Sequence, residues 1–353
     1  MSASSPKGAL LVGSVPLADS EQVFRAAVEI LGDRLRRVPD GETGDRTNWI
    51  GWQFAVMAQT PGIERVPTPD DAYTSLPVFR LAGSADEIAF GNLGYADAAL
   101  ASWAVFQRLQ ADGVIPAHVK FQVSLPTPLA PVTGFVTPED QAAVEGPYEQ
   151  RLMHELGQIL DAIPHDRLAI QWDVAVEFGI LERTFPSFLW ELGDGMVDSI
   201  VERLVHYAGQ VPEDVELGIH LCYGDAGHKH FKEPEDTSLL VEVANKVSAG
   251  VSRPIAWLHL PVPRDRDDDA YFAPLENLEL HPETELYLGL VHYTDGVDGT
   301  QRRIEAADRH TGAFGVATEC GFGRRPSETV RDLLQIHADV SSPIEVNAGG
   351  TEG

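Results

Sequence analysis

The residues with the clearest chemical meaning are His220 and Cys222, in the stretch Gly-Ile-His-Leu-Cys-Tyr-Gly-Asp. On a β-strand, side chains two positions apart point to the same face, so this imidazole and this thiol would converge. Neutral imidazole and thiolate are ligands that zinc prefers. The only other cysteine in the sequence, Cys320, also closes an apolar run before a glycine-rich turn. These three residues predict a zinc site if the fold brings the two strand ends together.

A fourth ligand could come from His259, in Trp-Leu-His-Leu-Pro, on a run that lies between the other two. Buried thiols and a hydrogen-bonded pair of histidines would explain the same residues without a metal. His228 and His230 are rival ligands, but their position beside Glu233 is more typical of a solvated loop.

Other chemistry is poorly supported by motifs. The sequence has no Gly-x-Ser-x-Gly nucleophile elbow and no phosphate-binding Gly-x-x-x-x-Gly-Lys-Ser/Thr loop. Gly321-Phe322-Gly323-Arg324-Arg325 could bind a carboxylate or a phosphate, although an exposed arginine pair explains it equally well. The acidic residues of 265–269 lack the glycine turn of a calcium loop and are interpreted as surface charge.

Eight short apolar runs, each ending near Gly, Pro or Asp, predict β-strands. They are Ala9–Pro16, Arg37–Glu42, Val119–Pro126, Leu168–Glu177, Val215–Tyr223, Pro254–Val262, Leu286–Tyr293 and Phe314–Gly321. Stretches with helical spacing of apolar residues separate most of them, for example Ser20–Leu35, Ala96–Ala111, Glu149–Ala162, Met196–Ala208, Ser238–Ser248 and Thr300–Arg309. Strands that alternate with helices pair in parallel, and eight such units predict a closed (β/α)₈ TIM barrel.

One domain over residues 1–353 is expected, with two insertions. The longer one follows the second strand, at about residues 50–118, and is interpreted as a lid or side wall; an acidic one covers about 264–280. Active sites of barrels lie at the carboxyl ends of the strands. The polar residues that end the predicted strands are Ser14, Asp40, Glu42, Asp173, Glu177, His220, Cys222, His259, His292 and Cys320.

The charge balance of the sequence limits the classes of binding partner that are expected. Acidic residues outnumber basic ones by 54 to 26 and the net charge is −28, which disfavours nucleic acids and anionic membrane surfaces. Two cysteines in 353 residues do not form a disulfide framework. The polar N-terminus and the short apolar run Ala9–Val15 do not predict a signal or membrane segment, so a cytoplasmic location is expected. The oligomeric state is not predicted.

Five short motifs resemble the catalytic C-terminal half of cobalamin-independent methionine synthase, within the superfamily of uroporphyrinogen decarboxylase. In chain order they are Val12-Gly13-Ser14-Val15-Pro16, Asp40-Gly41-Glu42, Gln171-Trp172-Asp173, His220-Leu221-Cys222-Tyr223 and Glu319-Cys320-Gly321.

The resemblance implies particular roles for these residues. It assigns His220, Cys222 and Cys320 to zinc, and an amino-acid substrate to Ser14, Glu42 and Asp173. The family's sixth-strand glutamate ligand is absent here, and His259 is the predicted substitute. His292 would protonate the leaving group, as a seventh-strand histidine does in the family, although its register differs by about two positions.

The function expected from the resemblance is a zinc-dependent alkyl, specifically methyl, transferase of the kind that serves methionine biosynthesis. Zinc would activate a small thiol acceptor such as homocysteine as its thiolate. The alkyl donor stays open between a folate, a corrinoid and another compound. The alternatives are a zinc-dependent lyase or hydrolase, a metal-free decarboxylase-like enzyme, and a non-catalytic barrel.

Overall fold

The computed structural model describes residues 6–67, 78–224 and 229–345. Seven parallel strands in the described ranges form one curled sheet, in the order β1, β4, β5, β6, β7, β8, β9, and two strands form an antiparallel hairpin. The strands are β1 (Arg37–Pro39), β2 (Ile63–Arg65), β3 (Phe79–Leu81), β4 (Lys120–Pro126), β5 (Leu168–Val174), β6 (Glu216–Leu221), β7 (Trp257–Pro261), β8 (Glu285–Val291) and β9 (Gly315–Thr318). The architecture is α/β and TIM-barrel-like.

Helices follow or precede the strands around the outside of the sheet. They are α1 (Ser20–Leu31), α2 (Gln53–Gln59), α3 (Tyr95–Ala111), α4 (Leu129–Phe135), α5 (Gln141–Ala162), α6 (Val176–Leu181), α7 (Met196–Gly209), α8 (Ser238–Gly250), α9 (Asp269–Phe272), α10 (Gly296–Ala307) and α11 (Val330–Val340). In α1 the side chain of Asp19 accepts a hydrogen bond from the Gln22 amide, and Phe24 and Leu31 are buried. A capped, amphipathic helix of this kind covers the outer face of the sheet. None of the helices in the described ranges combines the length and the apolarity needed to cross a membrane.

The seven predicted runs from Arg37 onward each contain a strand, but the first, Ala9–Pro16, pairs less regularly. Its Ala9 forms an isolated parallel bridge with Val316, and the Leu10 amide donates to the Val316 carbonyl at 2.9 Å. On the other side, the Val15 amide donates to Gly41 at 2.7 Å. This segment therefore lies in the seam between β9 and β1.

The strands are buried on both faces, as parallel sheets covered by helices require. Every residue of β5 is buried. Inside the curl of the sheet, Trp257 packs with Leu10, Val12 and Tyr287. A Cβ atom at Gly218 would lie 1.8 Å from the Trp257 ring, so only glycine leaves room for this indole in the interior.

The insertion after β1, which is the second predicted strand, contains α2 and the β2–β3 hairpin. The hairpin is pinned by the Leu81 amide, which donates to Asp140 Oδ2 at 2.9 Å, and by the Thr137 amide, which donates to Phe79 O at 2.9 Å. Residues 95–111 form α3, which packs against α1 and α5 as a helix of the outer layer. The part that departs from a strand–helix alternation is thus shorter than residues 50–118.

Candidate active site

The structure brings His220, Cys222 and Cys320 together. One potential ligand atom of each lies within 4.8 Å of those of the other two. His220 is on β6, Cys222 directly follows that strand, and Cys320 follows β9, so all three lie at carboxyl ends. His220 and Cys222 are buried, and Cys320 is half-buried. Two strands that are not neighbours in the sheet reach the same point because the sheet curls.

His259 lies behind this group and does not join it. Its Nδ1 is 2.6 Å from Nδ1 of His220, and its Nε2 is 3.0 Å from the carbonyl of Thr318. The parallel register sets His259 directly opposite His220. Burial, and then the neighbouring His220, hold the pKa of His259 well below its usual value, so its ring is neutral.

These contacts define the tautomers of the two rings. Because a carbonyl only accepts, Nε2 of His259 carries the proton, and its Nδ1 accepts from Nδ1–H of His220. Nε2 of His220 then has a free lone pair. A metal-ligating histidine is commonly oriented in this way by an acceptor on its other nitrogen.

The two sulfur atoms both accept hydrogen bonds from neighbouring groups. The Gly224 amide donates to Cys222 Sγ at 3.2 Å, and Arg324 donates to Cys320 Sγ at 3.7 Å. A hydrogen bond between the two thiols lowers the pKa of Cys320 well below its usual value and raises that of Cys222. The two sulfurs thus share one proton, with Cys320 favoured as the thiolate, and a metal bound by both would have to displace the proton of Cys222.

A cavity of about 450 Å³ opens in front of the three ligands. Ser14, Glu42 and Asp173 line it together with His220, Cys222 and Cys320. The sequence-predicted substrate residues and the predicted metal residues thus share one space. Asp40 and Glu177, which also end predicted strands, are used elsewhere: Asp40 pairs with Arg46 at 2.7 Å, and Glu177 accepts a hydrogen bond from Thr127.

Glu42 is held in an uncommon backbone conformation. Its φ is 45°, and its amide donates to Asp40 Oδ1 at 2.8 Å. Burial, opposed by Arg46 and assisted by Asp40 and Cys320, raises the pKa of Glu42 to about 8. A strained φ at a non-glycine residue is a sign of a functional constraint, because the surrounding structure must enforce it.

Asp173 is 6% exposed and ends β5 beside Glu42. Gln171 donates to its Oδ1 at 2.8 Å, and the Trp49 indole also hydrogen-bonds to it. Burial, and then the charge of Glu42, raise the pKa of Asp173 well above its usual value. Within the described part of the chain, neither Glu42 nor Asp173 forms an ion pair, since Arg46 pairs with Asp40 and Arg37 pairs with carboxylates elsewhere.

Ser14 supports the loop that carries Cys320. The Phe322 amide donates to the Ser14 carbonyl at 2.6 Å, and the Gly323 amide donates to Ser14 Oγ at 3.3 Å. A Cβ atom at Gly321 would lie 2.5 Å from Ser14 Oγ, so the close approach depends on glycine.

His292 does not line the cavity. Its Nε2 donates to the Val262 carbonyl at 2.9 Å, and its Nδ1 is 3.7 Å from Glu319. Burial, and then the charge of Arg303, lower the pKa of His292 to about 3. The register between β8 and β9 shifts between Leu288 and Val291, just before this residue.

The loop histidines differ from their interpretation as solvated residues. His230 is 8% exposed, with Nδ1 3.0 Å from Glu233 and Nε2 3.3 Å from Glu319, so the prediction of a solvated side chain was wrong. Glu319 attracts it into the protein. His228 lies outside the described residues.

The apolar wall of the cavity is the part that motifs do not reveal. Trp49, Phe135, Phe185 and Phe231 contribute rings to it, and Ile50 completes it. Motifs give no signal for these rings, because aromatic residues in loops are common. Phe185 and Phe231 meet at 4.8 Å between ring centroids although they come from the loops after β5 and β6.

The fold and the site define a TIM-barrel-like chain with a buried His-Cys-Cys cluster at the carboxyl ends of its strands. No protein-family model matches the chain, and no curated protein matches it. Among solved structures it is similar to a candidate vitamin-B12-independent methionine synthase from Listeria monocytogenes, with a TM-score of 0.53 and 14% identity over 96% of this chain and 99% of the other. A methyltransferase from Methanosarcina mazei gives a TM-score of 0.55 and 12% identity over 95% and 94% of the two chains. At these identities the likeness establishes the fold, and it confirms the predicted resemblance at that level.

Proposed function

We propose that the protein is a zinc-dependent transferase that moves an alkyl group, specifically methyl, to a small thiol. The observation that supports this most is the convergence of His220, Cys222 and Cys320 on one wall of a cavity. The same cavity contains the partly exposed Glu42 and the buried Asp173, two carboxyl groups that form no ion pair within the described chain. The fold of the two solved structures is consistent with this class of enzyme.

The donor set fits zinc. One imidazole nitrogen and two sulfurs are three ligands of the types that zinc prefers, and a catalytic zinc keeps its fourth position for a substrate. When bound, the ion would supply a Lewis acid that lowers the pKa of the acceptor thiol into the neutral range. In this proposal His259 orients His220 and is not a ligand, so the missing glutamate of the family leaves the fourth position open.

The remaining residues of the cavity hold the acceptor. Glu42 and Asp173 face an ammonium group, which would restore their ionised forms by compensating their charges. The Ser14 loop lines the same cavity, and we assign its backbone N–H groups to the carboxylate of an amino-acid thiol such as homocysteine. We do not assign a proton-donor role to His292, because its Nε2 is engaged with Val262 and it lies outside the cavity.

The proposal also includes a closed eight-stranded barrel. Residues 9–16 occupy the position of the eighth strand, and residues 1–353 form one (β/α)₈ domain. A decarboxylase-like function is disfavoured because Arg324 is the one arginine among the described residues that line the cavity, whereas several would be needed to hold a polycarboxylate.

Metal content is the first test. Protein purified without chelator is expected to contain about one zinc ion per chain, and Cys222→Ser and Cys320→Ser should each reduce zinc affinity by at least ~100-fold. His230→Gln, a buried histidine outside the group, is the matched control and should keep its zinc. Full zinc occupancy in both cysteine variants would refute the metal site.

Thiol activation is the second test. X-ray absorption at the zinc edge should show an additional sulfur ligand when homocysteine or another thiol acceptor is added. An unchanged coordination sphere across a panel of thiols would reject the transferase. Turnover of a substrate in the absence of any thiol would instead favour the lyase or hydrolase.

A further inference from the structure

The apolar wall opposite the ligands holds Trp49 in a fixed position. Trp49 has a φ of 49°, one of three positive values among non-glycine residues in the described chain, and Glu42 has another. Its indole N–H interacts with the Asp173 carboxyl group across the cavity lining. Phe185 and Phe231 pack together on the same cavity and are each partly exposed to it. Aromatic faces that are held in place and left accessible are suited to a ligand.

The charge in the cavity selects for cations. Glu42 and Asp173 bring two carboxyl groups to the cavity, while Arg324 is turned to Cys320 Sγ at 3.7 Å. Aromatic faces carry a negative quadrupole, and they bind quaternary ammonium and sulfonium groups when these are desolvated. Carboxyl groups and aromatic faces in one cavity therefore favour the same kind of ligand.

Among the described residues that line the cavity, no histidine is available to protonate a leaving group. Of the histidines in the described ranges, only His220 lines it, and this ring is taken by His259 and the metal site. Glu42 and Asp173 are assigned to the acceptor. A donor whose leaving group departs without a proton would suit this arrangement better than an amine donor.

We infer that the methyl donor is an onium compound, with its methyl group on a positively charged sulfur or nitrogen, bound against Trp49, Phe185 and Phe231. This inference rests on the proposed function, since it supplies the donor for the same acceptor site. The acceptor's thiolate sulfur attacks the methyl carbon, a C–S bond forms, and the bond from that carbon to the onium atom breaks. The electron pair stays on the leaving sulfide or tertiary amine, which departs neutral.

The energetics agree with an apolar wall. In this step a negative sulfur and a positive onium centre become two neutral products. As the two charges neutralise in the transition state, the reactants lose solvation energy. This loss is smaller in a low-dielectric cavity than in water, where the separate ions are well solvated. The partly apolar cavity would therefore accelerate this transfer.

Binding gives the first test, using the zinc-loaded protein saturated with a thiol acceptor. Choline carries a trimethylammonium group, and 3,3-dimethylbutan-1-ol is its neutral isostere of the same shape. Calorimetry should show choline binding at least ~10-fold more tightly than the isostere. Equal affinity for the two compounds would overturn the inference.

Phe231 provides a matched pair of variants. Phe231→Leu keeps apolar volume without the ring and should weaken choline binding by about 5–10-fold, whereas Phe231→Tyr should retain it. The affinity for the thiol acceptor should not change in either variant. Loss of choline affinity to the same extent in both variants would mean that the site is merely shaped by Phe231, and it would count against the inference.

Transfer gives the decisive test. Trimethylsulfonium with deuterated methyl groups is expected to yield a labelled thioether and dimethyl sulfide, detected by mass spectrometry. Transfer confined to methyltetrahydrofolate or methylcobalamin would overturn the onium donor while leaving the thiol transferase intact. Failure of the proposed function is distinguishable, because it would appear earlier as missing zinc or missing thiol coordination.

Discussion

The two ends of the barrel-like sheet differ in whether their carboxyl groups are paired with cations. At the amino ends of the strands, Arg37 is 3% exposed and binds Glu216 at 3.0 Å and Glu285 at 3.1 Å. Lys120 adds a second contact to Glu216, and the Arg37 guanidinium lies 4.2 Å from the centre of the Trp257 ring. At the carboxyl ends, Glu42 and Asp173 are not paired with a cation within the described residues.

The stabilising ion pairs therefore lie at one end of the sheet, and the candidate active site lies at the other. Arg37 and Lys120 keep the pKa of Glu216 below its usual value, so the closed end favours ionised carboxylates. At the open end, burial outweighs the opposing interactions and raises the pKa of Glu42 and Asp173. Barrels generally keep their stabilising contacts at one end and their chemistry at the other, and β6 illustrates both, since Glu216 begins it and His220 lies near its end.

The largest expected effect is at the closed end. Arg37→Met leaves Glu216 and Glu285 with less compensation and should lower the free energy of unfolding by about 3–5 kcal/mol. Zinc affinity should be unchanged, because the ligands lie at the other end. Urea unfolding and a zinc titration measure the two quantities.

Arg36→Met is the matched control, because Arg36 is partly exposed and contacts Glu285 only from outside. It should cost less than about 1 kcal/mol. A large loss of zinc affinity in Arg37→Met would show that the two ends are not independent.

The next effect concerns the ring behind the metal ligands. His259→Leu removes the acceptor for Nδ1–H of His220 and should weaken zinc binding by about 10–100-fold. His259→Asn, whose amide oxygen can accept that proton, should recover part of the affinity. Competition with a chromophoric chelator measures both values.

X-ray absorption at the zinc edge distinguishes a His259 that orients the His220 ring from a His259 that binds zinc itself. One imidazole is expected in the wild type, and the same number in His259→Asn. Two imidazoles in the wild type and one in the variant would make His259 a direct ligand.

The smallest expected effect is a difference in pH dependence between the two ends. The pKa of Glu42 is raised to about 8, so in the folded state it keeps a proton that the unfolded chain releases near pH 4.5. Its contribution to stability is fully present below about pH 4.5 and is lost as the pH rises towards 8. Because Glu42 is partly exposed to the cavity, we expect the wild type to lose about 1–2 kcal/mol relative to Glu42→Gln between pH 5 and 8.

Glu216→Gln is the counterpart at the closed end. The pKa of Glu216 is lowered, so its contribution is present above about pH 4.5 and is lost only as the pH falls through its lower folded value. The stability difference from the wild type should therefore be flat from pH 5 to 8. Urea unfolding of the metal-free proteins in the presence of a chelator gives both stability differences, and a difference between the wild type and Glu42→Gln that stays flat from pH 5 to 8 would contradict the assignment.

Much of this arrangement was predictable from local pattern. Apolar runs with helical stretches between them predicted eight strands in a closed barrel, and seven of these runs contain strands of the curled sheet, since parallel strands buried on both faces leave a strong signal. The position of His220 and Cys222 followed from the two-residue period of a strand. The first run was less regular than predicted because its partners, Val316 and Gly41, lie on different strands and contact different parts of it.

What could not be predicted depends on contacts between distant loops. The engagement of His259 with His220 and Thr318 requires knowing the register of three strands. The register of His292 relative to the family's histidine already differed in the sequence, but its contact with the Val262 carbonyl, after an irregularity between Leu288 and Val291, could not be predicted. The inward position of His230 depends on Glu319, which lies far away in sequence and was read only as part of a motif.

The seam between the first and last strands has a consequence for how the protein is made. Ser14 and Gly323, which meet there, are separated by 309 positions, and Cys320 belongs to the same late segment. Chains fold from the N-terminus during synthesis, so the early segment waits for almost the whole chain to be translated. A nascent chain that ends before Cys320 contains only two members of the His220, Cys222 and Cys320 cluster. The metal site that we propose would therefore be complete only after the late segment has been synthesised and has packed against Ser14.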